Sequence, residues 1–209
     1  SVKVRVLINI LLCSKGSSME KYLYLTEVDW AEAWINGGKI PISLASSYLS
    51  ESREGIYTPD ENLIHDSSYP IPAFRQFGIY LENVKNVTMT GNTFNGKKIP
   101  DVKNASYYKE DGLILSFCNE FDAKIARRLG KKACVKILDM DQLKVALDSE
   151  VGSKGVMKDC SYTKGFQRDH FLKSTEDSWQ KEFRLFWKSD KSVWVSIPPN
   201  IGELVATYD

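Results

Sequence analysis

Hydrophobic and polar positions alternate along this chain in short runs, and a period of two predicts strands more often than helices. In Tyr22-Leu23-Tyr24-Leu25-Thr26 the tyrosines and Thr26 share one face and the leucines the other. Lys39-Ile40-Pro41-Ile42-Ser43 reads as a second short strand whose proline marks an edge or an end. Residues 78–82 and 86–90, 112–118, 133–138, 155–162, 192–197 and 203–208 continue the series, with 192–197 spaced as the return strand of a hairpin. Helical patterns are few and short. Residues 27–36 have acids in the first turn, Trp30 and Trp34 four apart, and Gly37-Gly38 as a stop; residues 121–129 and 141–147 are the others.

Two stretches lack a period. Residues 45–77 are polar with scattered aromatics and prolines, and a long irregular excursion inside a compact domain is often functional, for instance as a substrate-facing flap. Within it Thr58-Pro59-Asp60-Glu61 carries the marks of a helix start: a Thr cap, Pro at the first helical position, and Glu three residues after the cap. Residues 96–111 read as a polar loop. One phrase, 86–94, resembles a coil of a parallel β-helix, but it is not repeated and a β-helix needs several such coils.

The stretch with the most chemistry is Ser178-Trp179-Gln180-Lys181-Glu182-Phe183-Arg184-Leu185-Phe186-Trp187. Read as one strand, it places Trp179, Phe183, Leu185 and Trp187 on one face and Gln180, Glu182 and Arg184 on the other. An amide and a carboxylate two residues apart stand about 7 Å apart on such a face, near enough to grip one ligand. The strand is either the floor of a site or a half-exposed sheet strand, with Glu182 paired to Arg184 or to a lysine across the sheet.

Composition narrows the field only a little. At 209 residues the chain is one domain, and its net charge of +1 gives no overall argument for nucleic acid or an anionic membrane. Lys97-Lys98, Arg127-Arg128 and Lys131-Lys132 remain as local basic pairs. Cys13, Cys118, Cys134 and Cys160 are widely spaced, and with only His65 and His170 beside them no metal site is expected. The cysteines read as reduced and buried, in a cytoplasmic protein. Asn86-Val-Thr and Asn104-Ala-Ser are glycosylation-like triplets of a kind that arises often by chance. Residues 1–18 form an N-terminal extension or an extra strand. Their basic start and short apolar run resemble a signal peptide, but the run is broken by Asn9 and is too short to span a membrane.

No nucleotide-binding glycine loop, zinc-protease or serine-hydrolase motif is present. The order of elements from residue 112 onward, with Ser116-Phe117-Cys118 at a strand end, a helix, a strand, and Gln180-x-Glu182 on a late strand, resembles the ADP-ribosyltransferase fold. That resemblance implies an α+β domain over residues 19–209, built of two packed, mostly antiparallel β-sheets with flanking short helices, and a 45–111 insertion-like loop region. It implies NAD as cofactor and Glu182 as the catalytic carboxylate, with Gln180 beside it to orient the acceptor. Ser116, Tyr24 and Tyr22 would hold NAD. The family's early strand carries Arg or His, which 22–26 lacks, so Tyr24, or Arg5 from the N-terminal run, would take that place. The ending Trp179-x-x-Glu182-x-Arg184 is also similar to that of a group of uncharacterised bacterial proteins. The implied activity is mono-ADP-ribosyl transfer, or NAD consumption by a toxin or effector, onto a protein or nucleic-acid acceptor, with an antitoxin or inhibitor as a further partner and no membrane. Two alternatives stand beside it: an inactive binding or inhibitor module on the same scaffold, and a metal-independent nuclease using His65 or His170 as base.

Overall fold

The computed structural model describes residues 20–208. The N-terminal extension, Arg5 and Cys13 lie outside the described residues. In chain order the strands are β1 (Lys21–Leu25), β2 (Gly38–Leu44), β3 (Leu63–Asp66), β4 (Val84–Met89), β5 (Thr93–Phe94), β6 (Lys97–Lys98), β7 (Val102–Lys109) and β8 (Gly112–Cys118). They continue with β9 (Ala133–Ile137), β10 (Val156–Asp159), β11 (Ser161–Thr163), β12 (Leu172–Ser174), β13 (Glu182–Lys188), β14 (Val193–Ile197) and β15 (Gly202–Thr207). The helices are short: α1 (Ala31–Asn36), α2 (Ala123–Arg128) and α3 (Met140–Val151). Mixed α/β composition, antiparallel sheets and few short helices make this an α+β architecture.

The main sheet runs β10-β13-β8-β1-β9-β15, every neighbouring pair antiparallel. Its alternation is that expected. Leu23, Leu25, Leu113, Phe117, Val135, Phe183, Leu185 and Trp187 turn to one face, where Trp34 of α1 and Leu143 and Leu147 of α3 cover them. Caps set the helix limits. Asp139 accepts from the Gln142 N–H at 2.8 Å to start α3, and Gly152, at φ 76°, ends it. Gly37 stops α1 at φ 80°, where a Cβ would also lie 2.9 Å from the Pro199 nitrogen.

The sheet forks at β8. One edge of β8 pairs with β13 along its whole length. The other is divided: Cys118 faces Tyr22 of β1, while Leu113 and Ile114 face Leu44 and Ser43 of β2. Between them, over Leu115–Phe117, that edge has no ladder partner. β2 leaves with β14 on its far side and packs Ile40, Ile42, Val195 and Ile197 onto the main core. β14 therefore does not form the expected hairpin with the strand before it. Pro41 is an edge residue as anticipated, because β2 leaves β8 after two residue pairs.

The 45–111 stretch is not the loop region the sequence suggested. It carries a three-stranded antiparallel sheet, β3-β7-β4, over a core of its own formed by Ile71, Phe74, Ile99, Val102 and Ala105. β7 occupies half of the expected 96–111 loop. Its alternation is hidden by Asn104 at φ 52°, and Asn86 at φ 54° does the same in β4, where the register shifts. Residues 78–82, read as a strand, are not one. Thr58–Glu61 is a turn and not a helix start: the Leu63 N–H bonds the Asp60 carbonyl and the chain reverses into β3. Trp30 is exposed while Trp34 is buried, so the two do not act as a packing pair.

Candidate functional site

In the fork lies a cavity of about 180 Å³. Its walls include Tyr22 and Tyr24 of β1, Ser116 of β8, and Gln180 and Glu182, so all five residues singled out from the sequence reach one place. Strand register explains the convergence. Ser116 stands opposite Arg184 and Cys118 opposite Glu182, while Cys118 also stands opposite Tyr22. Cross-strand neighbours share a face, so these side chains line the face opposite the main hydrophobic core.

Gln180 arrives by a route different from the one expected. Residues 175–180 form a 3₁₀ helix, and β13 begins only at Glu182. Between them Lys181 adopts the left-handed conformation at φ 48°, which costs a non-glycine residue on the order of 1 kcal/mol. This link swings Gln180 and Glu182 onto one ammonium: Lys173 Nζ lies 2.8 Å from Gln180 Oε1 and 2.9 Å from Glu182 Oε2. Trp179 consequently leaves the Phe183 face and packs beside Tyr24 and Ile125, under the Arg128 guanidinium at 3.8 Å.

Two residues the sequence did not flag complete the floor. Glu61, on the turn before β3, and Lys173, on β12, join Glu182 and Arg184 in a buried quartet of two acids and two bases. Arg184 Nε donates to Glu182 Oε1 at 2.6 Å and Nη1 to the His170 carbonyl at 2.9 Å. Its Nη2 is 2.5 Å from Glu61 Oε1, an ion pair that is not aligned as a hydrogen bond. Glu61 Oε2 accepts from Thr58 Oγ1 at 3.1 Å and lies 3.7 Å from Lys173 Nζ. Arg53 braces the arrangement by bridging Asp60 (2.7 Å), beside Glu61, to Asp177 (3.3 Å) of the 3₁₀ helix that carries Gln180. Tyr162 OH takes the Glu182 N–H at 2.9 Å.

The quartet sets the ionisation of the floor. Burial pushes the Glu182 carboxyl up, but the Arg184 and Lys173 charges outweigh it and hold the group well below the usual carboxylate range. Each Glu182 oxygen has one donor here, and a carboxylate offers about four acceptor sites, so two remain for a ligand. Gln180 is more fully engaged, its Nε2 donating to the Gly55 carbonyl at 2.8 Å and its Oε1 taken by Lys173. It acts here as a strut holding Lys173.

The aromatic members differ. Tyr24 is buried, and its hydroxyl accepts the Asp122 N–H at 2.8 Å and donates to the Glu120 carbonyl at 3.0 Å, so it offers a ligand only its ring. Tyr22 is half-buried against Phe121, with its hydroxyl on Glu20 Oε2 at 3.1 Å. Ser116 is half-buried at the cavity wall. Burial pushes the Cys118 thiol up to about 11, which leaves it a poor nucleophile at neutral pH.

Neither histidine lines this cavity. His65 is buried between Tyr107 and Phe166, and its Nε2 faces the Ile71 N–H at 3.3 Å. His170 stacks on Phe186 at 3.8 Å between ring centres, beside Glu110. Burial lowers both pKa values. Among the described residues no group of three or more His, Cys, Asp or Glu side chains is placed to hold a metal ion, and no helix is long and apolar enough to cross a membrane. Comparison with protein-family models, with curated proteins and with solved structures finds no match.

Proposed function

We propose that the protein is an NAD-consuming transferase of the ADP-ribosyltransferase type, with Glu182 as the carboxylate at the reacting ribose. The observation that carries this reading is the convergence of Tyr22, Tyr24, Ser116, Gln180 and Glu182 on one cavity in the fork of the sheet. A cavity of about 180 Å³ suits one ring system, since about 150 Å³ accommodates benzene. Nicotinamide or its ribose fits that space, and the rest of a dinucleotide would lie outside it. Glu182, held ionised, accepts a ribose hydroxyl and opposes the positive charge that grows on the sugar as the glycosidic bond breaks. The bonding pair leaves with the nicotinamide nitrogen, and the acceptor, water or a macromolecule, bonds to the ribose carbon and releases a proton. Tyr22 and Tyr24 supply the aromatic wall. Gln180 holds Lys173, and through it Glu182, which replaces the acceptor-orienting role implied by the resemblance.

A second reading, a binding module without turnover, is favoured by the engagement of both ends of Gln180 and both oxygens of Glu182. Nicotinamide release from NAD, with and without lysate macromolecules, separates the two. Wild type is compared with Glu182→Gln and with Ser116→Leu, which fills the cavity from outside the quartet. Turnover by wild type that is lost in both variants, each shown to be folded, supports the transferase. Binding of NAD without any release favours the module, and release retained by folded Glu182→Gln places the chemistry elsewhere.

A further inference from the structure

We infer that Lys131 is an anion-recognition residue at this cavity and that the ligand it selects carries a phosphate or pyrophosphate next to its ring. Three cations line the cavity: Lys131, Lys173 and Arg184. The last two are neutralised by Glu61 and Glu182. Lys131 has no carboxylate within ion-pair distance among the described residues. Its ammonium donates to the Thr26 hydroxyl at 2.8 Å, and two of its three protons remain to be placed. The four charges of the quartet cancel, so Lys131 leaves the cavity with a single positive charge.

The neighbouring basic residues make the contrast. Lys132 is paired with Glu27 at 3.0 Å and Lys136 with Glu20 at 2.5 Å, both on exposed or half-exposed surface. Lys131 is the more enclosed, and burial lowers its pKa with no acidic neighbour opposing the shift. A half-buried cation with no counter-charge is unfavourable in the empty protein and attracts an anion more strongly than a solvated lysine does. Arg128, over Trp179, adds a second cation without a carboxylate partner among the described residues, next in sequence to the cavity-lining Leu129. With room for one ring inside, a ring bearing phosphate is the class of small molecule that uses both features.

This inference rests on the NAD reading for its choice of cavity, but it concerns binding and not turnover. The test is titration calorimetry with inorganic pyrophosphate and with ADP-ribose, on wild type, Lys131→Met, Lys131→Arg and Lys132→Met. Both probes are expected to bind wild type and Lys132→Met alike, to weaken at least tenfold in Lys131→Met, and to recover in Lys131→Arg. Without ligand, Lys131→Met is expected to melt at or above the wild-type temperature, which a lysine kept for structure would not do. Undiminished affinity in Lys131→Met, a lowered melting temperature in that variant, or no binding of pyrophosphate to wild type at millimolar concentration overturns the inference. Affinity for both probes undiminished in Lys131→Met, with nicotinamide release present in wild type, would overturn it while leaving the transferase reading intact. Pyrophosphate binding that depends on Lys131, with no NAD turnover, supports the inference and removes the transferase instead.

Discussion

Glu61→Gln tests the quartet most directly, because it removes one charge and almost no volume. Arg184 is 3% exposed and loses the ionic partner of its Nη2, keeping Glu182 and the His170 carbonyl. Lys173 keeps Gln180 and Glu182 and loses the 3.7 Å partner. The buried group changes from neutral to a net charge of +1. Breaking a buried ion pair from one side costs about 3–5 kcal/mol, and an amide that still fills the space and can accept a hydrogen bond argues for the lower end. At roughly 2–4 °C per kcal/mol for a domain of this size, about 3 kcal/mol lowers the melting temperature by about 6–12 °C. Thermal and urea unfolding followed by circular dichroism would measure it. The double variant Glu61→Gln/Lys173→Met restores neutrality, so it should fall short of the sum of the single variants by about 1–3 kcal/mol. Glu176→Gln is the control. Its side chain is 71% exposed against Arg53, and its loss should shift the melting temperature by less than about 2 °C. A Glu61→Gln shift as small as that of the control, or strictly additive variants, would refute the view that the four charges form one unit.

The quartet also predicts an acid limb. Because the folded Glu182 pKa is depressed, from 4.5 to about 2, its contribution to stability is complete above about pH 5 and is lost as pH falls through 4.5 toward about 2. Urea midpoints at pH 6, 4.5 and 3 should therefore fall more steeply for wild type than for Glu182→Gln, and parallel curves would exclude the assignment. Gly112→Ala should destabilise by about 1–3 kcal/mol, since an added Cβ would come within 2.4 Å of the Phe186 ring and 2.5 Å of the Trp187 carbonyl oxygen. An unchanged urea midpoint would mean that β8 and β13 can separate at that end without loss.

Much of the main sheet was legible because its strands alternate cleanly and its helices carry local signals. β1, β2, β8, β9, α3 and β15 all fall close to where their patterns put them. The shared face of Glu182 and Arg184 followed from the same period, whereas Ser116 entered through the resemblance and joins them by strand register. Three features were hidden for separate physical reasons. Asn86 and Asn104, in left-handed conformations, shift the alternation of β4 and β7, so a real strand looked like a polar loop. Lys181 turns the backbone where nothing in a lysine announces a turn, and this removes Trp179 and Gln180 from the strand. Glu61 and Lys173 become site residues only through long-range packing. Thr58 and Glu61 do meet, but through a side-chain hydrogen bond at 3.1 Å and not through the backbone contacts of a helix cap, and the strand pattern that follows overrides continuation as a helix.

The 45–111 stretch has a hydrophobic core of its own, yet it supplies Glu61 to a quartet whose other members sit beyond residue 170. A lesion at Phe74 or Val102, both fully enclosed in that smaller core, would loosen β3 and the turn ahead of it before it disturbed the strands around Leu113 and Leu185. Variants of that kind would present as soluble, largely folded protein with a faulty site, and would be mistaken for changes in binding residues. Loss-of-function maps of this chain would then show two separate clusters. One would ring the cavity, and the other would mark the foundations of the turn that carries Glu61.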